Sequence, residues 1–599
     1  MKRRQLALLA VILAAAALAY LPSMRGDFTT DEFLLILNNP QVQHPQGFGS
    51  FFSDKFWTGK AKGIYYRPVI IMSYALNWRL SRESTFSYHL LNLLFFMGSV
   101  VLLFYLVRRL LPECAPLAAA IYALHPVHGE SVAWIPGRTD TLAVFFILAA
   151  WLLWMKAARP GPAPGKIVIY ITMAAVLLLG LLSKEIAVLA PALFLVSDWW
   201  EKPGDEGLGP MILKRVWGYA LVLLSIALYF WLRHWAFTGG GEEPAPAFLA
   251  GFPLWEKPLM ISRIWTEYLW LLVWPHPVRT DAYYSANFAA GAYPAWPGLI
   301  SGIFWAGGLA AMAWGFARRN RWAMIAVLWL LSLLPVSHLA PFPNAMATRF
   351  LLLPSVFFAM GLGLAISRCA KFFPQISRGA GALVLVFFFA LSLGVNSGFR
   401  DRYLYLREVV SQAPGGAVAH NQLGLAALDR DWLETAEKEF NWALANSPDY
   451  PEALVNLSLV KLKQGQFDSA LELLQKAISI SPDYAEAHYN LGLALKSAGR
   501  SAEAFESFEK AADLEPGKAG AYYEMARLRL EQNDWKSAAE LSDRALKAAP
   551  WHAGAIKLRI QVALAQKDFA LARELIERAE KLSGPDLELE GLRNATEPR

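Results

Sequence analysis

Cysteine is nearly absent from this chain: two of 599 residues, Cys114 and Cys369. Two thiols cannot build a disulfide framework or a cysteine-based metal site. Charge is also sparse. Charged residues make up 18% against 55% hydrophobic, and the mean hydropathy is +0.31. The net charge of +7 comes with no basic stripe and no nucleic-acid motif, so nucleic acid is not an expected partner. The sequence contains neither a glycine-rich phosphate loop nor a serine-hydrolase elbow, which leaves nucleotide-sugar and ATP chemistry without support.

What the chain does have divides near Arg400. Before it, apolar runs of about 20 residues read as membrane spans. Lys2-Arg3-Arg4 precedes the first, Leu6–Leu21, and Pro22-Ser23-Met24-Arg25 is a poor cleavage site, so the segment reads as a retained span. Ten more follow: 88–110, 116–133, 141–155, 167–182, 186–200, 217–237, 299–316, 322–339, 350–366 and 380–398. Basic clusters at Arg108-Arg109, Lys156 with Arg159, Lys214-Arg215, Arg318-Arg319 and Arg368 with Lys371 then share the side of the N-terminus, the cytoplasmic side. Segment 258–274 contains Arg263 and Glu267 and would invert that order if it spanned, so it reads as interfacial or re-entrant. Eleven spans place everything after Arg400 outside. The expected location is a bacterial cytoplasmic membrane.

The part after Arg400 repeats with a period of 34. In windows from Ala417, position eight is Gly424, Ser458, Gly492, Ala526 and Ile560. Position twenty is Ala436, Ala470, Ala504, Ala538 and Ala572, and position twenty-seven is Ala443, Ala477, Ala511, Ala545 and Ala579. Pro448, Pro482, Pro516 and Pro550 hold position thirty-two. Small residues where paired helices touch, then a proline, are the tetratricopeptide pattern. The expected class is therefore all-α: a polytopic membrane domain (1–400), a linker (401–416), a solenoid of five repeats (417–586) and a polar tail (587–599).

Polar groups collect on the outer side. The first outer segment, 23–87, contains Thr29-Thr30-Asp31-Glu32 and closes with Tyr65-Tyr66-Arg67-Pro68. The acidic pair fits a capping box, with Thr29 as N-cap and Glu32 at N3, leading a short helix along Phe33–Leu37. It equally fits a positioned base. Further clusters are His125-Pro126-Val127-His128-Gly129-Glu130 with Arg138 and Asp140, then Lys184-Glu185, then Phe342 to Arg349. Ionisable groups this close to hydrocarbon are functional candidates. His125 and His128 share a helix face and admit a metal reading, but Pro126 disturbs the helix and two imidazoles with one carboxylate are a weak set. They also admit a role wetting a helix end, or a phosphate-handling role. Lys184 and Glu185 fit an ion pair capping a tight hairpin, and Arg349 fits a snorkelling arginine.

Taken in order, these stretches resemble the transmembrane and tetratricopeptide-repeat O-mannosyltransferase family. They are Asp27-Phe28-Thr29-Thr30-Asp31-Glu32, Tyr66-Arg67-Pro68, Ser87-Tyr88-His89-Leu90-Leu91-Asn92, Ala123 to Val132, Gly137-Arg138, Ser183-Lys184-Glu185 and Arg349 to Pro354. The resemblance implies a GT-C-type membrane fold that moves a sugar from a polyprenyl-phosphate donor to a Ser or Thr hydroxyl. Asp31 or Glu32 would be the base. Arg67, Arg138, Lys184 and Arg349, with His125 or His128, would hold the donor phosphate, and Tyr66, Glu130, Asp140 and Glu185 would complete the site. No tightly bound cofactor and no divalent metal are expected. Expected partners are membrane lipid, the lipid-linked donor, and an acceptor polypeptide on the concave face of the repeats. The chain departs from the family pattern at Glu32, where a second Asp is usual, and at Thr348, where a Glu is common. A whole-glycan transferase and a non-catalytic scaffold for secretion or polysaccharide assembly are the alternative classes.

Overall fold

A computed structural model describes residues 3–29, 31–53, 65–158, 163–201, 207–237, 248–275, 296–339, 344–412, 414–583 and 587–596. Among the described residues every regular element is helical. The chain forms two compact units, Met1–Ala413 and Pro414–Arg599.

Among the described residues, seven helices of the first unit are long and apolar enough to cross a membrane. They are Arg3–Arg25, Phe86–Leu110, Ile135–Ala157, Pro164–Leu181, Val216–Phe237, Trp296–Ala317 and Pro374–Gly398. Shorter apolar helices are Ala115–Leu124, Arg321–Val336 and Pro354–Cys369. Small residues let helices approach, as in many membrane bundles. A Cβ added at Gly363 would meet the Ala118 backbone nitrogen at 3.1 Å. Asp198, buried on helix Ala190–Glu201, ties helices Arg138–Ala157 and Val216–Phe237 together, with the turn before the second. It accepts from the Trp154 indole at 3.0 Å and the Tyr219 hydroxyl at 2.8 Å, and it pairs with Arg215.

Several expected spans are interrupted where polar groups gather. The run 116–133 is a helix only to Leu124; a 3-10 turn, Pro126–His128, and a short helix, Gly129–Val132, complete it. Pro126 holds the residue before it out of the helical region, and His125 is extended at ψ 124°. The run 186–200 likewise begins as a 3-10 turn, Glu185–Leu189, after an extended Lys184. The first outer segment is not an open loop. It contains a 14-residue helix, Pro68–Ser81, with Ile70, Ile71, Tyr74, Ala75 and Trp78 buried. Segment 258–274 is one unbroken helix, Glu256–Val273.

Among the described residues the second unit contains five helix pairs, from Ala417–Leu428 with Leu433–Asn446 to Ala553–Ala565 with Phe569–Ser583. Ala436, Ala470, Ala504, Ala538 and Ala572 are wholly buried. A Cβ on Gly424 or Gly492 would strike Phe440 or Phe508 at 2.6 Å, so these positions must stay small for the paired helices to touch. Two expected boundaries shift. The linker is largely a helix, Arg402–Gln412, that belongs to the first unit, where buried Arg402 lies over the Phe33 ring at 4.6 Å. The polar tail forms a helix, Leu587–Asn594, because Leu589 has an apolar cluster to bury against.

Candidate functional site

The acidic pair sits where the chain leaves the first span. Gly26 is extended, and its carbonyl lies 3.2 Å from His89 Nε2. A Cβ there would be 2.2 Å from the Phe399 carbonyl oxygen, so only glycine lets the segment pass this close. The Thr29 amide donates to Glu32 Oε2 at 3.2 Å, and its hydroxyl lies 3.3 Å from both carboxylate oxygens. Glu32 therefore turns back to its own backbone, as a capping box requires, and is 1% exposed. The other half of the box differs: the Thr29 hydroxyl faces the Glu32 carboxylate. A single π-type turn, Phe33–Leu37, follows. Asp31 is half-buried, and its carbonyl accepts from Leu34 and Leu35. Thr30 lies outside the described residues.

Tyr74, on helix Pro68–Ser81, lies within electrostatic reach of this pair and of Arg67 and Arg138. Burial pushes its hydroxyl well up; the charges of Glu32 and Asp31 add to that, and those of Arg138 and Arg67 oppose it.

Three cations come together, each against a carboxylate from another segment. Arg67 donates to Glu185 at 3.0 Å, Lys184 to Asp140 at 2.6 Å, and Arg349 pairs with Glu130. Glu130 is also bound by the Thr348 hydroxyl at 2.6 Å and the Arg349 amide at 3.0 Å. Thr348, the departure from the family pattern, thus serves Glu130 directly. The Phe350 ring lies 5.4 Å from Lys184 Nζ and 5.0 Å from Arg349 Cζ. Burial lowers the Lys184 ammonium, Asp140 opposes, and Arg67 and Arg349 lower it further. Burial pushes the Glu185 carboxyl up, but the charge and hydrogen bond of Arg67 outweigh this and hold it below the usual carboxylate range.

Other expected site residues are placed differently. Lys184 and Glu185, adjacent in sequence, do not pair with each other; each takes a distant partner. Arg349 is held by Glu130 rather than extending toward a membrane surface. Arg138 is wholly buried. Its Nε donates to Asn92 at 2.7 Å, its Nη1 to Ser73 at 3.0 Å and Asn77 at 2.6 Å, and its Nη2 to the Tyr88 carbonyl at 2.8 Å. With Tyr74 4.7 Å and Tyr88 5.8 Å beneath it, this guanidinium joins elements instead of facing a ligand. His125 lies 2.9 Å from the Leu272 carbonyl and accepts from the Val127 amide, while His128 bonds Ser355 at 2.7 Å. Both imidazoles are buried within the protein. Among the described residues no group of three or more His, Cys, Asp or Glu could hold a metal ion. Tyr66 is buried, with its hydroxyl donating to the Phe52 carbonyl at 3.1 Å.

Three residues of this neighbourhood escape a sequence reading. Tyr74, Tyr229 and Tyr268 are single tyrosines in apolar or amphipathic helices, and nothing local marks them. Tyr229 lies within electrostatic reach of Glu185 and Arg67, and Tyr268 within reach of Arg349 and Glu130. Asn92 carried a signal: an amide inside an apolar run that buries its polar group needs a partner, and Arg138 is that partner.

The molecule is thus an all-helical protein whose apolar helices fit a membrane, joined to a solenoid. Family models described as TPR repeat and Tetratricopeptide repeat match residues 459–499, 495–550 and 523–586. The chain is similar to a protein O-mannosyl-transferase of Caenorhabditis elegans, 32% identical over 157 residues, which are 25% of this chain and 23% of that protein. It is 31% identical to human protein O-mannosyl-transferase TMTC1 over 164 residues, 26% of this chain and 19% of the relative. A mouse relative, protein O-mannosyl-transferase TMTC3, is 30% identical over 25% of this chain and 17% of its own length. The likeness lies over the repeats, so the chain matches about a quarter or less of each relative's length. Among solved structures, Pseudomonas aeruginosa pilF aligns at 24% identity, covering 32% of this chain and 86% of that one, with a TM-score of 0.29.

Proposed function

We propose that the chain is a membrane glycosyltransferase that moves a sugar, a hexose such as mannose, from a polyprenyl-phosphate donor to Ser or Thr hydroxyls of exported proteins. The observation that carries this is the gathering of Arg67, Lys184 and Arg349, each paired with a carboxylate, with Lys184 and Arg349 both against the Phe350 ring, and with Tyr74 within electrostatic reach of both Arg67 and the acidic pair. A lipid phosphate already leaves well. The reaction then needs a base for the hydroxyl and cations for the departing anion. Asp31 takes the acceptor proton as the acceptor oxygen bonds to the anomeric carbon. The bond from that carbon to the phosphate oxygen breaks, and its electron pair leaves on the lipid phosphate with the anomeric centre inverted. Asp31 rather than Glu32 is assigned as base because the Glu32 carboxylate is occupied by Thr29. Arg67 and Arg349 hold the phosphate, with Lys184 adding its charge from behind. Arg138, His125 and His128 keep the surrounding elements in place. The repeats, set outside the cytoplasmic membrane of a bacterium with the N-terminus inside, present the acceptor on their concave face. The names of the relatives support the class of reaction.

The test uses the full chain in lipid discs with polyprenyl-phosphate mannose and glucose carrying a radiolabelled sugar, together with a periplasmic extract. Label should enter protein in a linkage released by alkaline β-elimination. Absence of label in protein with either donor would overturn the proposal.

A further inference from the structure

Two cations of the site, Lys184 and Arg349, share one aromatic ring. The Phe350 ring centroid lies 5.4 Å from Lys184 Nζ and 5.0 Å from Arg349 Cζ. Both distances fall within the range where a ring face attracts a cation. Phe350 comes from the 3-10 turn Thr348–Leu351, whereas Lys184 precedes the turn Glu185–Leu189. The turn that carries the ring is itself held in place. The Phe350 amide donates to the Ala347 carbonyl at 3.2 Å, and the Ser131 hydroxyl donates to the Arg349 carbonyl at 3.3 Å. Phe350 is half-buried and packs against the apolar core of the first unit. A second ring, Trp134, lies 5.4 Å from the Arg349 guanidinium.

Two like charges meant for one phosphate repel each other before it arrives. Asp140 and Glu130 oppose that repulsion, one carboxylate to each cation. A third carboxylate shared by both would hold them further, but it would also repel the donor's phosphate. A neutral ring differs. Its negative face attracts both cations and carries no net charge, so their charge stays available to an anion. We infer that Phe350 is a positioning residue that fixes the spacing of Lys184 and Arg349 for the donor phosphate. It acts through the two cations, and the inference rests on the reaction proposed above.

Fluorine drains the negative face of an aromatic ring while changing its size little and leaving it apolar. A packing role would survive fluorination, and a cation-holding role would not. The test places 4-fluoro-, 3,5-difluoro- and 3,4,5-trifluorophenylalanine at position 350 of the full chain in lipid discs. Binding of sugar-free polyprenyl phosphate is measured, with transfer from polyprenyl-phosphate mannose and glucose to the periplasmic extract in parallel. Each added fluorine should weaken binding of the lipid phosphate by a similar factor, about 10-fold in all for the trifluoro ring. Transfer should fall in the same steps, and the thermal unfolding midpoint should not move. Phe350→Leu should lose as much as the trifluoro ring, and Phe350→Tyr should keep the native affinity. Equal or tighter binding across the fluorinated series, or a loss that tracks a lowered midpoint, would overturn the positioning role and leave the transferase reading intact. A native chain that binds no polyprenyl phosphate and transfers no sugar would overturn that reading and the positioning role with it.

Discussion

Arg138 shows how a side chain's partners decide its role. As a lone arginine after Gly137 it looks like a phosphate ligand. In the fold its donors are spent on Asn92, Ser73, Asn77 and the Tyr88 carbonyl. Lysine has one compact ammonium and cannot reproduce that planar fork. Arg138→Lys should leave at least one buried acceptor unserved, at a cost of about 1–3 kcal/mol for each. Thermal unfolding of the purified chain should reveal this as a lower midpoint, with affinity for sugar-free polyprenyl phosphate unchanged below that temperature. A normal midpoint with weakened lipid binding would return Arg138 to the phosphate. The charged residues were legible in sequence, but their pairings were not. Lys184 finds Asp140 44 positions away, and Arg67 finds Glu185 118 positions away. No local pattern encodes such distances.

The repeats show the opposite case, because their information is local and recurs. Between the two helices of every pair one residue is left-handed: Asp431 (φ 57°), Gly465 (73°), Gly499 (77°), Asn533 (61°) and Lys567 (60°), each 34 apart. The amide after each reaches back five residues, as in Arg500 to Leu495 and Asp568 to Ala563, both 2.8 Å. These are Schellman closures. A left-handed residue with a Cβ costs about 1–2 kcal/mol that glycine avoids. Lys567→Gly should therefore raise the denaturation midpoint of the repeats, and Gly499→Val should lower it by more, since β-branching adds strain. The same midpoint for both variants would show that these turns do not carry the conformation assigned to them. The membrane helices were less legible. Hydropathy finds the apolar runs but not their interruption at Pro126 or at Lys184-Glu185. These breaks put backbone turns and charged groups at the site, where a straight span would have buried them.

On the scale of the whole molecule, division of labour follows from the two units. The helix Arg402–Gln412 packs with the first unit, so a cut must fall after it to leave that unit whole. A chain ending at residue 413 should insert, resist unfolding as the full chain does, and bind polyprenyl-phosphate sugar. Transfer to protein should fall sharply, as scored by label incorporation. Undiminished transfer by the shortened chain would assign the repeats another task. The central claim is that a carboxylate of the acidic pair drives sugar transfer, and a positioned base contributes about 10²–10⁴-fold. The direct measurement is intact mass of exported proteins from cells with the native chain, without it, or with the Asp31→Asn, Glu32→Gln double variant. Proteins carrying an added sugar should appear only with the native chain and nearly vanish in the double variant, while expression and membrane insertion persist. The same added mass in the double variant as in the native chain would contradict the account.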